Sequence, residues 1–256
     1  MQEITLVRDS YTHHKDGSIS YVNEPSNGFS CLIDFTKYPD MKSCYDRLTP
    51  LFGKNFILCN GCENSLRICF QVLSILGINS LTWATPTWGM VEVFCSMFRF
   101  NSLPRPYLYD EKRNIVVSPN LEGDCVYDCN GKNNLFSYKK GRINSPVKII
   151  DTTYTDIVFE DDECIYIGSL GKKYGCGIRL GYIRFPEKYS ELFNLCREQY
   201  INSGAEKLIM SKLIDNKAPK SFTTLIGNHK NGKIFYLPDY KGNKVCFTRI
   251  GNEYYK

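Results

Sequence analysis

Residues 163–185 read ECIYIGSLGKKYGCGIRLGYIRF. A β-branched run ends at Gly168, a polar, glycine-rich segment presents Ser169, Lys172 and Lys173, and a second apolar run begins at Ile178. Apolar runs this short, punctuated by glycine and rich in isoleucine and tyrosine, predict buried strands. A lysine in the loop between two such strands, at the edge of a sheet, is partly desolvated. Desolvation disfavours the ammonium and leaves an amine that can attack an aldehyde. Taken alone, a basic loop is more often a solvated surface feature.

Outward from this stretch the same signal repeats. SLTWA (80–84), DCVYD (124–128) and PVKIID (146–151) also read as strands. Helical spacing lies between them: from Glu63 to Leu76, with Leu66, Phe70, Leu73 and Leu76 on one side, again after Pro86, and from Pro186 to about Tyr200. Strands alternating with helices predict an α/β domain on a largely parallel sheet. After about Tyr189 the pattern turns to helices and then short strands ending in KVCFTRI (244–250), a smaller α+β lobe joined by the N-terminal segment. The division predicted is an N-terminal segment over 1–45, a large domain over 46–188 and a reduced small domain over 189–256.

Composition removes several function classes. Of 256 residues 43% are hydrophobic and 23% charged, as in ordinary globular proteins, so a full core can form. The net charge of +5 comes without a Lys/Arg block or basic arm, which argues against a nucleic-acid module. MQEITLVRDSYTHHKDG (1–17) is charged where a signal peptide is apolar, and no run approaches a membrane span, so a cytoplasmic protein is expected. The 12 cysteines sit mostly in apolar runs such as RICFQVL (67–73), as reduced core residues do. Cys59 and Cys62 form a CxxC, but Cys125 and Cys129 are spaced one residue too far apart to complete a zinc pattern; no metal is expected.

The residues of 163–185 resemble the lysine loop of fold-type-I pyridoxal-phosphate (PLP) aminotransferases, in which Ser/Thr, two residues and Lys-x-Tyr/Phe-Gly lead to Gly-x-Arg-x-Gly-Tyr. Ser169, Lys172, Tyr174, Gly175, Gly177, Arg179, Gly181 and Tyr182 fill the pattern. The resemblance implies that Lys172 forms the internal aldimine and that Ser169 and Arg179 hold the cofactor phosphate. Gly171 stands where the family usually has serine, and the lysine-to-arginine spacing is one residue shorter, so Lys173 remains an alternative.

Four further segments extend the likeness. PVKIIDTTYTDIVFED (146–161) ends a strand at Asp151, with Tyr154 three residues on. An anionic group against the pyridinium nitrogen keeps the ring an electron sink. The family implies that role for Asp151 and a hydrogen bond from Tyr154 to the ring's phenolic oxygen; the bland alternative for Asp151 is a helix cap. In ILCNGCENSLRICFQVL (57–73), Asn60, Gly61 and Cys62 open a helix, and helix starts bind phosphate. TPTWGMVEVF (85–94) offers Trp88 to stack on the ring, against the usual fate of a tryptophan in a core. CNGKNNLF (129–136) lacks the prolines of the family's Asn-Pro motif and leaves Asn130 as the match to the asparagine on the phenolic oxygen.

The two ends of the chain narrow the likeness. YVNEPSNG (21–28) and TKYPDMKSCYDRLTPLFG (36–53) resemble the start of histidinol-phosphate aminotransferases, whose tyrosine in Tyr-Pro-Asp reaches the partner's PLP phosphate. That implies a homodimer with Tyr38 acting in trans. KVCFTRIGNEYYK (244–256) places Arg249 where the family's arginine forks onto the substrate α-carboxylate, a task suited to guanidinium. The function implied is transfer of an amino group between an amino acid and an oxo compound. A decarboxylase or lyase of the same fold, and a non-catalytic reduced homologue, are the alternatives.

Overall fold

The computed structural model describes residues 11–13, 19–24, 38–85, 87–113, 115–129, 137–139, 141–217, 222–224, 233–238, 241, 244–250 and 253–255. Seven short strands hydrogen-bond into one sheet: β1 (Phe56–Cys59), β2 (Ser80–Thr85), β3 (Asn101–Pro106), β4 (Cys125–Asp128), β5 (Val147–Asp151), β6 (Ile165–Ser169) and β7 (Gly181–Arg184). Their order across the sheet is β1-β7-β6-β5-β4-β2-β3. Strand β7 runs against both its neighbours, and every other pair is parallel. This is the α/β architecture expected from the sequence. Strands β1 and β4 are buried at every position, because chain covers both faces of a sheet of this kind. Strand β3, sequence NSLPRP, carried no strand signal. It is an edge strand paired only to β2, where Pro104 and Pro106 cost no ladder hydrogen bond on the open side.

The described residues form six helices: α1 (Met41–Phe52), α2 (Cys62–Ile75), α3 (Met90–Met97), a single turn α4 (Gly171–Tyr174), α5 (Ser190–Cys196) and α6 (Ser203–Ser211). On one face, Leu66, Phe70 and Leu73 of α2, Phe94 of α3 and Phe193 of α5 pack on Ile57, Ile149, Ile167 and Ile183 of the strands. Leu66, Phe70 and Leu73 keep the predicted spacing, while Leu76 falls past the helix end and is exposed. The helix expected over 186–200 is shorter, a 3-10 turn at Glu187–Tyr189 followed by α5. On the opposite face α1 and α6 lie over β1 and β7, joining Leu48, Phe52, Leu58, Tyr182, Leu208 and Ile209. Asp40 caps α1 by accepting the Ser43 N–H, and Asn202 caps α6 by accepting that of Ala205.

The connections between β3 and β4 and between β4 and β5 contain no helix among the described residues, although parallel strands are usually joined by one. Short strands at Leu108–Asp110, Ile115–Val117, Leu121–Glu122, Ser137–Lys139 and Ile143–Asn144 take that place. Tyr107, Tyr109 and Leu121 from this layer cover Ala84 and Val126. Near the N-terminus, strand Ile19–Glu24 pairs with Tyr11–His13 and, antiparallel, with Phe222–Thr224. Strands Lys233–Pro238, Lys244–Ile250 and Glu253–Tyr255 form an antiparallel sheet of three. No helix among the described residues is long and apolar enough to cross a membrane.

The chain leaving β5 is tied back to the sheet at Asp161. That carboxylate accepts the N–H of Glu163 (2.9 Å), Lys148 Nζ from β5 (3.0 Å) and the Cys164 thiol (3.2 Å). These donors, the Glu163 amide first, hold its pKa down at about 2 against an ordinary 3.8. A depressed carboxyl pKa contributes stability that is present above the ordinary value and lost as pH falls through the folded one. Urea midpoints of wild type and Asp161→Asn are therefore expected to differ fully above pH 5 and to converge toward pH 2. A difference that does not shrink between pH 5 and pH 2 would contradict this assignment.

Candidate active site

The site is built where β1, β5, β6 and β7 meet the start of α2. After β1 the chain turns through Gly61, whose φ of +88° lies in the left-handed region that suits glycine. A Cβ placed on Gly61 would stand 3.2 Å from the Arg179 guanidinium carbon, so the guanidinium lies directly against this turn. On β7, a Cβ on Gly181 would stand 2.6 Å from the Gly61 carbonyl carbon and 2.9 Å from the Cys62 nitrogen, so β7 supports the turn backbone to backbone. The first amides of a helix have no partner within it, and the helix dipole favours negative charge there. A guanidinium beside such a turn makes an anion notch.

Asp151 ends β5 and is 7% exposed. Its Oδ2 accepts the Tyr127 hydroxyl at 2.8 Å and, at a longer 3.7 Å, the Cys62 thiol; its Oδ1 accepts the Thr153 N–H at 2.9 Å. Thr153 Oγ1 donates to the Cys62 sulfur at 3.4 Å. Cys62 thus gives its backbone to the anion notch and its side chain to the carboxylate, linking the two. Burial first, and the Asp151 charge second, push its thiol well above the ordinary range. Cys59 is likewise raised by burial, to about 12. Both are thiols, not thiolates, the state of inert core cysteines.

The lysine segment is tighter than a loop. Strand β6 runs one residue past Gly168 to Ser169, which pairs with Gly181 of β7. The N–H groups of Leu170 and Gly171 both donate to the Leu180 carbonyl, at 2.9 and 3.1 Å, and this turns the chain into α4. Strand β7 starts at Gly181, not at Ile178, because Cys176–Ile178 forms a 3-10 turn and Arg179 takes a positive φ of 53°. Lys172 is half-buried in α4. Lys173, the alternative, is 6% exposed; its ammonium pairs with Asp215, donates to the Lys217 carbonyl at 3.1 Å and lies over the Tyr174 ring. That amine anchors the 212–217 segment to α4.

The structure brings Gly61, Cys62, Asp151, Ser169, Arg179 and the Lys172 turn to one end of the sheet. Tyr154 is half-buried three residues past Asp151, and Trp88 is half-buried against the core at the start of α3. The side-chain amide of Asn60 donates to Glu198 and its backbone N–H to Asn64 Oδ1 at 3.1 Å, while the Gly61 N–H donates to the Cys59 carbonyl at 2.9 Å, so these two amides are engaged within the turn. Glu198 also accepts from Asn64 (2.9 Å) and Arg67 (3.0 Å), pinning the first turns of α2. Tyr38 is 80% exposed, its ring stacked on Tyr200 at 4.7 Å. Asn130 lies outside the described residues. Arg249 is described by its backbone, in a strand opposite Lys233 and Tyr254. Sequence reasoning missed Tyr127 and Glu198. Tyr127 reads as one more strand aromatic, and Glu198 acts across more than 130 residues, with no local signal.

The chain has the fold of the fold-type-I PLP-dependent aminotransferases, shown by likeness to solved structures. It is similar to the histidinol-phosphate aminotransferase from Clostridium acetobutylicum, at 16% identity and a TM-score of 0.50, over 70% of this chain and 62% of that one. The histidinol-phosphate aminotransferase from Sinorhizobium meliloti, solved in complex with pyridoxal-5'-phosphate, is similar at 14% identity and a TM-score of 0.50, over 68% of this chain and 55% of that one. The chain therefore spans less than two thirds of the length of either. No protein-family model matches it, and no curated protein does.

The residues present fit a PLP group by their own chemistry. The Gly61–Arg179 notch suits a phosphate, the buried Asp151 carboxylate suits a pyridinium N–H, and Lys172 offers an amine at the end of β6.

Proposed function

We propose that this protein is a PLP-dependent aminotransferase moving an amino group between an amino acid and an oxo compound. The observation that carries the reading is the linkage of the anion notch to the Asp151 carboxylate through Cys62, beside the strand that leads into Lys172. Bound PLP would supply the electron sink for negative charge developing at the substrate Cα. Arg179, Ser169 and the turn at Asn60, Gly61 and Cys62 would hold its phosphate, and Asp151 would meet its ring nitrogen. Tyr154 and Asn130 would hydrogen-bond its phenolic oxygen, and Trp88 would cover the ring. Lys172 Nζ would hold the cofactor and would serve as the base that takes the proton from the substrate Cα. The test is to add single amino acids to the PLP-loaded protein and follow its spectrum. Conversion to the pyridoxamine form supports transamination. Release of CO2 without that conversion would instead make it a decarboxylase of the same fold.

Arg249 is the proposed anchor of the substrate α-carboxylate. Arg249→Lys keeps the charge but loses the two-pronged donor, and is expected to weaken amino-acid binding by about 1.5–3 kcal/mol, the worth of one charged hydrogen bond. PLP affinity is expected to stay unchanged. Equal amino-acid affinity in the two proteins would place the substrate anchor elsewhere and point to an amine without an α-carboxylate.

Tyr38 is the proposed trans contribution in a homodimer, and its exposure leaves its ring available to a second subunit. Mixing inactive Lys172→Ala and inactive Tyr38→Phe chains is expected to restore part of the activity through hybrid dimers. A fully active protein that sediments as a monomer would contradict the shared site.

A second reading, a non-catalytic homologue, is favoured by the connections beside β4, which hold no helix among the described residues, and by the short coverage of the solved structures. A protein that binds PLP but leaves every amino acid unchanged would favour it.

A further inference from the structure

Asp151 has a partner that the lysine-loop and strand-end motifs do not account for. Tyr127 lies on β4, one strand from Asp151, and pairs with Ile149 in the parallel ladder. Its ring is 1% exposed in the core beneath α2. A buried phenol requires a hydrogen-bond partner, and this one donates to Asp151 Oδ2 at 2.8 Å. Phenylalanine would fill the same volume with no hydroxyl to satisfy. The other donors to Asp151 differ in kind: the Thr153 N–H belongs to the local turn and takes the other oxygen, and the Cys62 thiol is long and weak at 3.7 Å.

We propose that Tyr127 is a positioning residue for the cofactor-facing carboxylate. Its hydroxyl fixes the Asp151 carboxylate from the side of β4 and disperses part of its charge, so that Asp151 draws on the ring nitrogen's proton less strongly than an unbonded carboxylate would. This inference rests on the PLP reading above. The titratable groups facing Asp151 are Cys62 and Cys69 of α2, Tyr127 and Cys129 of β4 and its end, and Tyr182 of β7. Burial raises every one of them, so they stay neutral and the Tyr127 hydroxyl stays a donor across the working pH range. The device acts on electrostatics, not on packing.

The experiment adds PLP to wild type, to Tyr127→Phe and to protein carrying 3-fluorotyrosine at position 127, and follows the absorption band of the bound cofactor with pH. Losing the donor leaves more negative charge against the ring, so the midpoint in Tyr127→Phe is expected to rise by about 0.5–1 pH unit, a charged hydrogen bond partly transmitted. The fluorinated phenol is a stronger donor of nearly the same shape, and is expected to move the midpoint down. It carries the test alone if Tyr127→Phe does not fold. A merely structural tyrosine would leave the midpoint in place. Wild type that binds PLP, with unshifted midpoints in the variants, overturns the role of Tyr127 only. Wild type that binds no PLP overturns the PLP reading, and the role of Tyr127 with it.

Discussion

Lys172→Ala is expected to abolish covalent retention of PLP and to lower turnover by at least the roughly 10²–10⁴-fold that a positioned acid–base group contributes. The loss is chemical, not structural. Lys172 is half-buried in a single helical turn closed by backbone bonds from Lys173 and Tyr174 to the Leu170 carbonyl and from Gly175 to that of Gly171, and alanine preserves those. Lys173→Ala supplies the opposite result. It removes the buried ammonium that pairs with Asp215 and bonds the Lys217 carbonyl, so it should cost stability while PLP is still retained covalently. Retention lost in Lys173→Ala and kept in Lys172→Ala would reverse the assignment of the two lysines.

Gly181→Val is expected to damage both the fold and the anion notch. The first added carbon would stand 2.6 Å from the Gly61 carbonyl carbon and 2.9 Å from the Cys62 nitrogen, both backbone atoms. Neither can rotate away as a side chain could, and β7 is itself held between β1 and β6. Overpacking typically costs about 1–3 kcal/mol, and a collision with the backbone of a packed turn belongs at or above the top of that range. The relief available is displacement of the Gly61 turn, which would spoil the notch facing Arg179. Gly177 is the control. A Cβ there meets nothing within 4 Å, so Gly177→Ala is expected to alter stability by about 0.5 kcal/mol or less. Thermal or urea midpoints check the first effect, and PLP titration the second. A Gly181→Val protein with normal stability and normal PLP affinity would contradict the packing described.

The pair of glycines shows what the sequence carries. Gly177 and Gly181 both belong to the pattern around Arg179, and only the structure distinguishes the one that is sterically required. Strands β4, β5 and β6 were legible because they are short apolar runs bounded by glycine or aspartate. Strand β3 was not, since an exposed edge accepts prolines and needs no apolar pattern. The site's principal groups were legible for a different reason: Ser169, Lys172, Arg179 and Gly181 lie within 13 residues of one another, so their spacing survives as a motif. Tyr127 and Glu198 depend on contacts between distant segments, and a tyrosine in a strand or a glutamate after a helix announces nothing. The helical turn at Lys172 reads as a loop in sequence because it is one turn long and the bonds that lead into it go to Leu180, across the hairpin. The pattern of residues therefore conveys which side chains are candidates for the chemistry better than it conveys what supports them.

We propose that Lys172 carries PLP at the strand end beside Asp151. The decisive measurement is to incubate the full chain with PLP, reduce with borohydride and map the peptides by mass. A pyridoxyl group is expected on Lys172, within the segment 163–185. Labelling at Lys173, or a protein that acquires no label after incubation with excess PLP, would contradict it.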